Sequence, residues 1–347
     1  MKIKTVAYKG SKRKLLSQIL ELAKEIDAKT VFDGFSGTGI VSAFLRSNGF
    51  KVKANDLNAS SYLYGSVFLE GFNEHIVNEY VGILNGLDGV EGWLAKNYSG
   101  VAKRKIRGTG GKYEDRPLGY TKSNAMKIDA AREYINQIEN LNESDRNALI
   151  FSIVLAADKS FNNSNDQKSC LKRWTSAALK DIQFIAPTHI VGPKGQQYRG
   201  DILDRKITSD FVYLDPPYTS GVLYKACYHL NDSIATWNQP ELDYSYAIPR
   251  PKSVAFRKRN KLAGGFYSQK TAKECFSLLL NNCSAKRIVL SYSDAPRNVL
   301  TPDELLHLCK KRGNVKIMDR EHRLCTQPKS MNKISNGLKE KFLIIDT

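Results

Sequence analysis

The sequence is poor in the residues that build disulfide frameworks and structural metal sites. Its 347 residues include six cysteines, none in a Cys-x-x-Cys pair, and five histidines, none at zinc-ligand spacings. We therefore expect no disulfide framework and no metal site. Buried, reduced thiols in a cytoplasmic protein account for the cysteines.

The sequence also lacks a long hydrophobic run. Its most apolar segment, 148–157, is far shorter than the ~20 residues that cross a bilayer. The basic first residues are followed by no apolar core of the kind that directs secretion. These absences predict a soluble, unexported protein that makes no membrane contact.

Acidic residues are scarce relative to basic ones. The chain has 53 Lys and Arg against 35 Asp and Glu, a formal charge of +18, and the excess lies in residues 1–14, 103–127 and 250–261. Clustered bases on an otherwise neutral chain indicate contact with a polyanion at defined places, because neutralised phosphates release counterions. Solvated loops are the alternative interpretation.

Short β-type runs bounded by turn residues predict an α/β fold. A helical pattern at 40–47 separates the first two runs, which is the βαβ arrangement of a parallel sheet. The seven runs are Thr30–Asp33, Lys51–Asn55, Gln197–Arg199, Phe211–Leu214, Arg287–Tyr292, Val315–Met318 and Lys341–Ile345.

Two insertions interrupt this pattern. The larger is mostly helical by its periodicity, since apolar residues recur at three- and four-residue steps from Ile128 to Leu141. Asn142 is a good cap for a second helix that continues to Ala157. The smaller insertion, 219–265, follows the fourth run and contains the third basic stretch.

The first predicted strand leads into a glycine-containing turn. The strand ends at Asp33, and Gly37 and Gly39 let the backbone bend tightly against a ligand. A dinucleotide site would have a third glycine where the chain has Ser42, so a ligand with adenosine but no pyrophosphate fits better. Asp56 ends the second strand, where an acid commonly accepts hydrogen bonds from ribose hydroxyls.

The segment Asp215-Pro216-Pro217-Tyr218 carries the strongest chemical signal. An apolar strand delivers a carboxylate and then stops, because the two prolines cannot donate to a β-ladder. Asp215 and the Pro216 carbonyl are two fixed acceptors that suit one planar amino group, and Tyr218 suits stacking on its ring. A proline-rich turn without function is the alternative.

Further motifs stand in order along the chain. Tyr8-Lys9-Gly10-Ser11-Lys12 precedes the first strand, and Gly200-Asp201 follows the third. With the glycine turn, Asp56 and the Asp-Pro-Pro-Tyr segment, they resemble the motifs of the Dam-like DNA adenine-N6 methyltransferases, which use S-adenosylmethionine. The resemblance implies that Lys12 lies inside the pocket and that Arg13 or Lys14 lies outside. One departure is Gly34, where that family often has Pro.

The resemblance implies a Rossmann-like methyltransferase fold with a mostly parallel seven-stranded sheet, an antiparallel last strand and a mostly helical target-recognition insertion. The implied domains are a catalytic domain at 1–56 and 196–347, the helical insertion at 57–195, and a basic DNA-contacting loop at 219–265. The implied cofactor contacts are Tyr8, Lys12, Asp33, Phe35, Gly37, Gly39, Asp56, Asp201 and Asp215.

The implied reaction transfers a methyl group to N6 of an adenine flipped out of duplex DNA. The catalytic segment is Asp215, Pro216, Pro217 and Tyr218, and Asp215 acts mainly by positioning and electrostatics. We expect a monomer in a bacterial or phage-infected cell, with a cognate restriction endonuclease as a candidate partner. The expected DNA contacts are Lys103, Arg104, Arg107, Lys112, Arg116, Arg257, Lys258 and Arg259.

Other methyltransferase classes fit less well. Cytosine-C5 enzymes need a nucleophilic Cys, normally after Pro, and no Cys here follows Pro. Cytosine-N4 enzymes usually have Ser in place of Asp215, and protein-glutamine and some RNA enzymes usually have Asn. The cytosine-N4 reaction and a non-catalytic DNA-binding module with this fold remain the alternatives.

Overall fold

The structure is a computed structural model, and it describes residues 3–8, 10–105, 113–163, 166–218, 224–246, 248–252, 265–293, 298–321 and 339–347. The chain divides into two compact units. The sheet unit comprises residues 9–70, 190–222 and 257–347, and the helical unit comprises residues 1–8, 71–189 and 223–256.

The helices and strands are numbered in chain order. The strands are β1 (Thr30–Asp33), β2 (Lys51–Asp56), β3 (Val101–Lys105), β4 (Tyr113–Pro117), β5 (Gln196–Arg199), β6 (Ile207–Thr208), β7 (Phe211–Leu214), β8 (Leu242–Asp243), β9 (Arg250–Pro251), β10 (Cys283–Ser284), β11 (Arg287–Ser293), β12 (Asn314–Glu321) and β13 (Lys339–Asp346). The helices are α1 (Leu16–Lys24), α2 (Ile40–Ser47), α3 (Ala59–Glu70), α4 (Glu74–Gly86), α5 (Trp93–Tyr98), α6 (Lys122–Gln137), α7 (Glu143–Ser160), α8 (Tyr224–Cys227), α9 (His229–Thr236), α10 (Ala272–Asn281) and α11 (Pro302–Lys310).

The sheet unit is built on seven strands in the order β12-β13-β11-β7-β1-β2-β5. The strands from β11 to β5 run parallel, whereas β13 is antiparallel to both β11 and β12. Each of the seven predicted runs lies within one of these strands. The predicted Rossmann-like methyltransferase fold, with its mostly parallel sheet and antiparallel last strand, is therefore confirmed.

The strand order reverses at β1. The chain passes from β1 through α2 to β2 on one side, and β7 pairs with β1 on the other. Ligands of open α/β sheets bind at the carboxyl ends of the strands beside such a reversal. The ends of β1 and β7, which carry the glycine turn and Asp215, are therefore neighbours at the place where a cofactor is expected.

Apolar side chains of the sheet pack against α10 and α11 in one core cluster. It includes Val212 and Leu290 from the sheet, Leu279 from α10 and Leu305 from α11, none exposed by more than 1%. Burying each such side chain contributes about 1.5–3 kcal/mol to folding. This packing holds β7, the strand that leads to Asp215, and its neighbour β11 in place.

The helical unit contains the predicted long helices. The Asn142 side chain accepts a hydrogen bond from Asp145 N at 2.9 Å, so the predicted cap of α7 is confirmed. The preceding helix, α6, ends at Gln137, before the end of the predicted apolar pattern at Leu141. The Arg146 guanidinium donates to backbone carbonyls in the last turn of α6, which satisfies acceptors that a longer helix would have used.

The division into units differs from the predicted boundaries at residues 1–8, 57–70, 190–195 and 223–256. Helix α3 groups with the sheet unit, although the first segment of the catalytic domain was expected to end at residue 56. Residues 223–256 group with the helical unit, in which Tyr98 Oη donates to the Pro249 carbonyl at 3.1 Å. Among the described residues, no helix combines the length and apolar character needed to span a membrane.

Candidate active site

The turn after β1 requires glycine at two positions. Gly37 and Gly39 have φ angles of 51° and 71°, in the left-handed region that residues with a Cβ rarely adopt. A Cβ on Gly39 would also lie 2.9 Å from the Phe68 ring. Asp56 holds the turn, because its Oδ2 accepts from Gly37 N at 2.8 Å while its Oδ1 accepts from Asn58 N at 2.9 Å.

The departure at Gly34 is explained by close packing. Its N–H donates to the Tyr213 carbonyl at 2.9 Å, a bond that proline cannot make. A Cβ at this position would lie 2.7 Å from Leu214 Cδ2. The turn after β1 is therefore held by a hydrogen bond to β7, the strand that leads to Asp215, and does not need the stiffness of a proline ring.

Asp33 is a buried carboxylate at the end of β1. It is 1% exposed, and its Oδ2 accepts from Ser42 Oγ at 2.6 Å. Ser42, which stands where a dinucleotide site has glycine, thus ties α2 to β1. Burial chiefly raises the pKa of Asp33 to about 7; the Ser42 hydrogen bond opposes this rise, and the charge of Asp215 adds to it.

Strand β7 carries Asp215 to the carboxyl edge of the sheet. It lies between β1 and β11, parallel to both, and all four of its residues are buried. The strand ends there because Pro216 and Pro217 have no N–H for the ladder. The Asp215 side chain is 19% exposed, so its carboxylate stays partly open while the strand behind it is fixed.

Lys12 is buried beside Asp215. Its side chain is 5% exposed, whereas Arg13 and Lys14 are exposed, as the motif predicts. Its Nζ lies 2.8 Å from Asp215 Oδ2 and 3.3 Å from the Gly10 carbonyl oxygen. The turn Lys12–Leu15 near the start of the sheet unit therefore places a cation beside the Asp-Pro-Pro-Tyr segment.

This ion pair perturbs both of its members. Burial on its own lowers the pKa of Lys12, but the neighbouring acidic groups, above all Asp215, raise that pKa well above its usual value. Burial raises the pKa of Asp215, and Lys12 opposes the rise. Lys12 therefore remains a cation at neutral pH and favours the ionised form of Asp215.

Glu340 was not predicted from the sequence. This residue of β13 is 2% exposed, and its Oε1 lies 3.2 Å from Lys12 Nζ. The same oxygen accepts from Ser291 Oγ on β11. A signal was present in the sequence: side chains alternate along a strand, so Glu340 lies on the same face of the strand as the apolar residues Phe342 and Ile344. A charged residue at such a position needs a buried partner.

Tyr218 is held at three points. Its ring lies 4.6 Å from that of Tyr292 with an interplanar angle of 48°, and its carbonyl accepts from Val299 N at 3.0 Å. Its hydroxyl donates to Glu340 Oε1 at 3.4 Å. The aromatic residue of the Asp-Pro-Pro-Tyr segment is thus fixed by groups from β11, β13 and the chain before α11.

The residues around the turn fit S-adenosylmethionine. The cofactor carries a sulfonium and an ammonium group, and the carboxylates of Asp33, Asp56 and Asp215 lie close enough to influence one another. Among the described residues, Asp33 Oδ1 and Asn55 Oδ1 are buried acceptors without a hydrogen-bond partner, which suits a ligand with several donors. The Phe35 ring packs edge-on against Phe266 at 5.5 Å.

Two of the predicted cofactor residues make contacts of their own. Tyr8 groups with the helical unit, where its ring stacks on that of Tyr228 at 4.4 Å and 13°. Asp201 caps the short turn Ile202–Asp204 and accepts from Leu203 N at 3.1 Å. Their contacts with the cofactor stay predictions.

The predicted DNA contacts are only partly described. Lys103 is exposed on β3, which pairs with β4 as an antiparallel hairpin, and Arg104 belongs to the same strand. Arg116 on β4 pairs with Glu114, so part of its charge is neutralised within the hairpin. The remaining residues, Arg107, Lys112, Arg257, Lys258 and Arg259, lie outside the described residues.

In the described part of the chain, no group of three or more His, Cys, Asp or Glu side chains could hold a metal ion. The charged and aromatic groups of the site are its carboxylates, the Lys12 ammonium and the ring of Tyr218.

Comparisons with known proteins show what the chain is similar to. The sequence profile of the D12 class of N6 adenine-specific DNA methyltransferases matches residues 8–281. The chain is 27% identical to the type II methyltransferase M.CviAII of Paramecium bursaria Chlorella virus 1, over 92% of each chain. It is 26% identical to the type II methyltransferase M.NlaIII of Neisseria lactamica, over 94% of each chain. A solved magnesium protoporphyrin IX methyltransferase from Synechocystis, with bound S-adenosylmethionine, gives a TM-score of 0.35 at 9% identity, covering 97% of this chain and 79% of that one.

Proposed function

The chain belongs to the D12 class of N6 adenine-specific DNA methyltransferases, and from this premise we propose that Asp215, Pro216, Pro217 and Tyr218 hold the target adenine during methyl transfer. The observation that carries the proposal is the ion pair of 2.8 Å between Lys12 and Asp215, at the carboxyl end of a fully buried strand. It presents an oriented carboxylate beside a turn that suits the cofactor.

The task of these residues is to make a poor nucleophile reactive. The lone pair of the adenine amino group is delocalised into the ring, and two acceptors in fixed positions favour a pyramidal nitrogen. Asp215 and the Pro216 carbonyl accept its two N–H groups, and the ring of Tyr218 stacks on the base. Bound S-adenosylmethionine supplies an electrophilic methyl group on its sulfonium.

The proposed cofactor contacts follow the motifs. Asp56 accepts from the ribose hydroxyls, and Gly37 and Gly39 let the backbone approach the cofactor. The carboxylates of Asp33 and Asp215 stabilise its positive charges. Lys12 keeps Asp215 ionised, so that this carboxylate stays an acceptor for the amino group.

Action on DNA requires that the adenine leave the duplex. We propose base flipping, at an unstacking cost of ~a few kcal/mol that phosphate contacts of the basic segments offset. The proposed contacts are Lys103, Arg104, Arg107, Lys112, Arg116, Arg257, Lys258 and Arg259.

The proposed biological setting draws on the relatives, which are named type II methyltransferases and modification methylases. We propose that the enzyme acts as a monomer in the cytoplasm of a bacterial or phage-infected cell. A restriction endonuclease with the same recognition site is its proposed partner.

A transfer assay with labelled S-adenosylmethionine and duplex DNA, followed by digestion to nucleosides, tests the proposal. We expect the label on N6-methyladenine. Replacement of Asp215 by Ala is expected to abolish transfer and to leave DNA retention largely intact, because the carboxylate that holds the amino group is removed.

Asp204 offers a matched control in the same unit. Its side chain is exposed, so Asp204→Ala is expected to transfer methyl groups at the wild-type rate. Label on cytosine would overturn the proposal. Full activity of a folded Asp215→Ala variant would remove Asp215 from the reaction.

A further inference from the structure

We propose that Glu340 is a positioning residue for methyl transfer, which shares Lys12 with Asp215 and anchors the hydroxyl of Tyr218. The inference rests on the role proposed above for Asp215 and Tyr218. It adds a residue from the antiparallel strand β13, outside all of the motifs that identified the site.

The geometry gathers three donors on one oxygen. Lys12 Nζ lies 3.2 Å from Glu340 Oε1, Tyr218 Oη donates to that oxygen at 3.4 Å, and Ser291 Oγ also donates to it. Glu340 is 2% exposed, so these bonds form away from solvent. A carboxylate with this set of partners orients both the cation and the aromatic ring of the catalytic segment.

The charges exceed what a structural ion pair requires. Lys12 and Asp215 already neutralise each other, and Glu340 adds a second carboxylate, itself 2% exposed, to a single ammonium. A surplus buried charge is costly for folding, because desolvation is not repaid by a partner. A cationic ligand beside the site offsets that cost, which is the charge that S-adenosylmethionine carries.

The bond to Tyr218 supports a role in the reaction. The Tyr218 ring is held between its hydroxyl bond to Glu340 and the contact of 4.6 Å with the Tyr292 ring. A stacked base requires a fixed ring plane, and a displacement of about 1 Å can cost ~100-fold in rate. Glu340 therefore acts through Lys12 and Tyr218 and need not touch the substrate.

Glu340→Gln separates charge from shape. The amide is nearly isosteric and keeps an oxygen that accepts from Ser291 and Tyr218, but the negative charge is absent. We expect kcat to fall ~10–100-fold, with the wild-type melting temperature retained. The Michaelis constant for DNA is expected to change less than kcat, because the phosphate contacts are unaffected.

The pH dependence of kcat distinguishes a positioning role from a merely structural one, which would leave it unchanged. The groups that face Asp215 are Lys12, Asp33 at the end of β1, Tyr213 on its own strand, and Glu340 from β13. The Glu340 charge raises the pKa of Asp215, so its removal lowers that pKa. The acid limb of kcat is expected to move to lower pH in Glu340→Gln.

Two further variants complete the experiment. Asp319→Asn is the matched control, since Asp319 pairs at 3.9 Å with Lys341, the neighbour of Glu340 on β13, and is exposed. It is expected to retain the wild-type kcat and profile. Glu340→Asp keeps the charge on a shorter arm, and we expect it to restore the position of the acid limb but not the full kcat.

Wild-type kcat and an unmoved acid limb in Glu340→Gln would overturn the inference. That failure is distinguishable from failure of the proposed function, which is instead marked by full activity of Asp215→Ala. If Glu340→Gln unfolds, Glu340→Asp decides alone: an unchanged kcat in that variant would equally overturn the positioning role.

Discussion

Replacing Lys12 by methionine removes the cation that the carboxylates of Asp215 and Glu340 share. Methionine keeps the length and the apolar stem of the side chain but leaves Asp215 and Glu340 without their common partner. Removal of one partner from a buried ion pair destabilises a protein by about 3–5 kcal/mol, because the remaining charge is uncompensated. We expect a destabilisation of this size at pH 8.

The destabilisation should depend on pH in a defined direction. Lys12 opposes the rise in the pKa of Asp215, so its removal raises that pKa further above the value in the unfolded chain. The folded variant then binds a proton that the unfolded chain does not, and its stability increases as the pH falls. Between the pKa of Asp215 in the unfolded chain and its pKa in the folded variant, the free energy of unfolding rises by about 1.4 kcal/mol for each unit that the pH falls. This rise ends near pH ~4, where the carboxylate of the unfolded chain is also protonated.

Urea unfolding at pH 5, 6, 7 and 8 measures this dependence. Far-ultraviolet circular dichroism is the suitable probe, because Trp93, Trp174 and Trp237 all belong to the helical unit and do not report on the sheet unit. Lys14→Met is the control, since Lys14 is exposed on the same turn. An equal, pH-independent destabilisation in both variants would refute the reasoning.

Two other predictions concern the cofactor and the DNA. Gly39→Ala is expected to lower both the melting temperature and the affinity for S-adenosylmethionine, measured by calorimetry, because a Cβ there meets Phe68 at 2.9 Å. Gly49→Ala is the control: Gly49 also has a positive φ but open space around its Cβ position, so the change should lower stability without weakening cofactor binding. Changing Arg257, Lys258 and Arg259 to Ala should reduce the slope of log DNA affinity against log salt concentration by about 0.9 for each phosphate that is no longer neutralised. The affinity for the cofactor should not change. An unchanged slope in a salt titration would exclude this segment from the DNA interface.

The centre of the sheet was predictable because β1 and β7 are mostly apolar and end in residues with distinct chemistry. Phe211–Leu214 is buried at every position and is followed by two prolines, so its type and its end were both visible in the sequence. Lys12 could be separated from Arg13 and Lys14 only through its motif, because composition alone favours a solvated face for all three.

The partners of the site residues were less predictable. Glu340 meets Lys12 through β13, which enters the sheet between β11 and β12, and no local pattern encodes that pairing. The end of α6 was also missed, because the Arg146 bonds that satisfy its last carbonyls come from the following helix. Tyr8 stacks on Tyr228, a partner that no spacing indicated.

The insertion of β13 between β11 and β12 has a consequence for synthesis on the ribosome. Lys12 and Asp215 are translated before β13. While β13 is still within the ribosome, the emerged chain lacks both Glu340 and the strand that pairs with β11 and β12. Pairing between segments so distant in sequence is slow, because the entropy of loop closure is lost before the contacts form. The cluster of Lys12, Asp215 and Glu340 is therefore complete only after β13 has emerged.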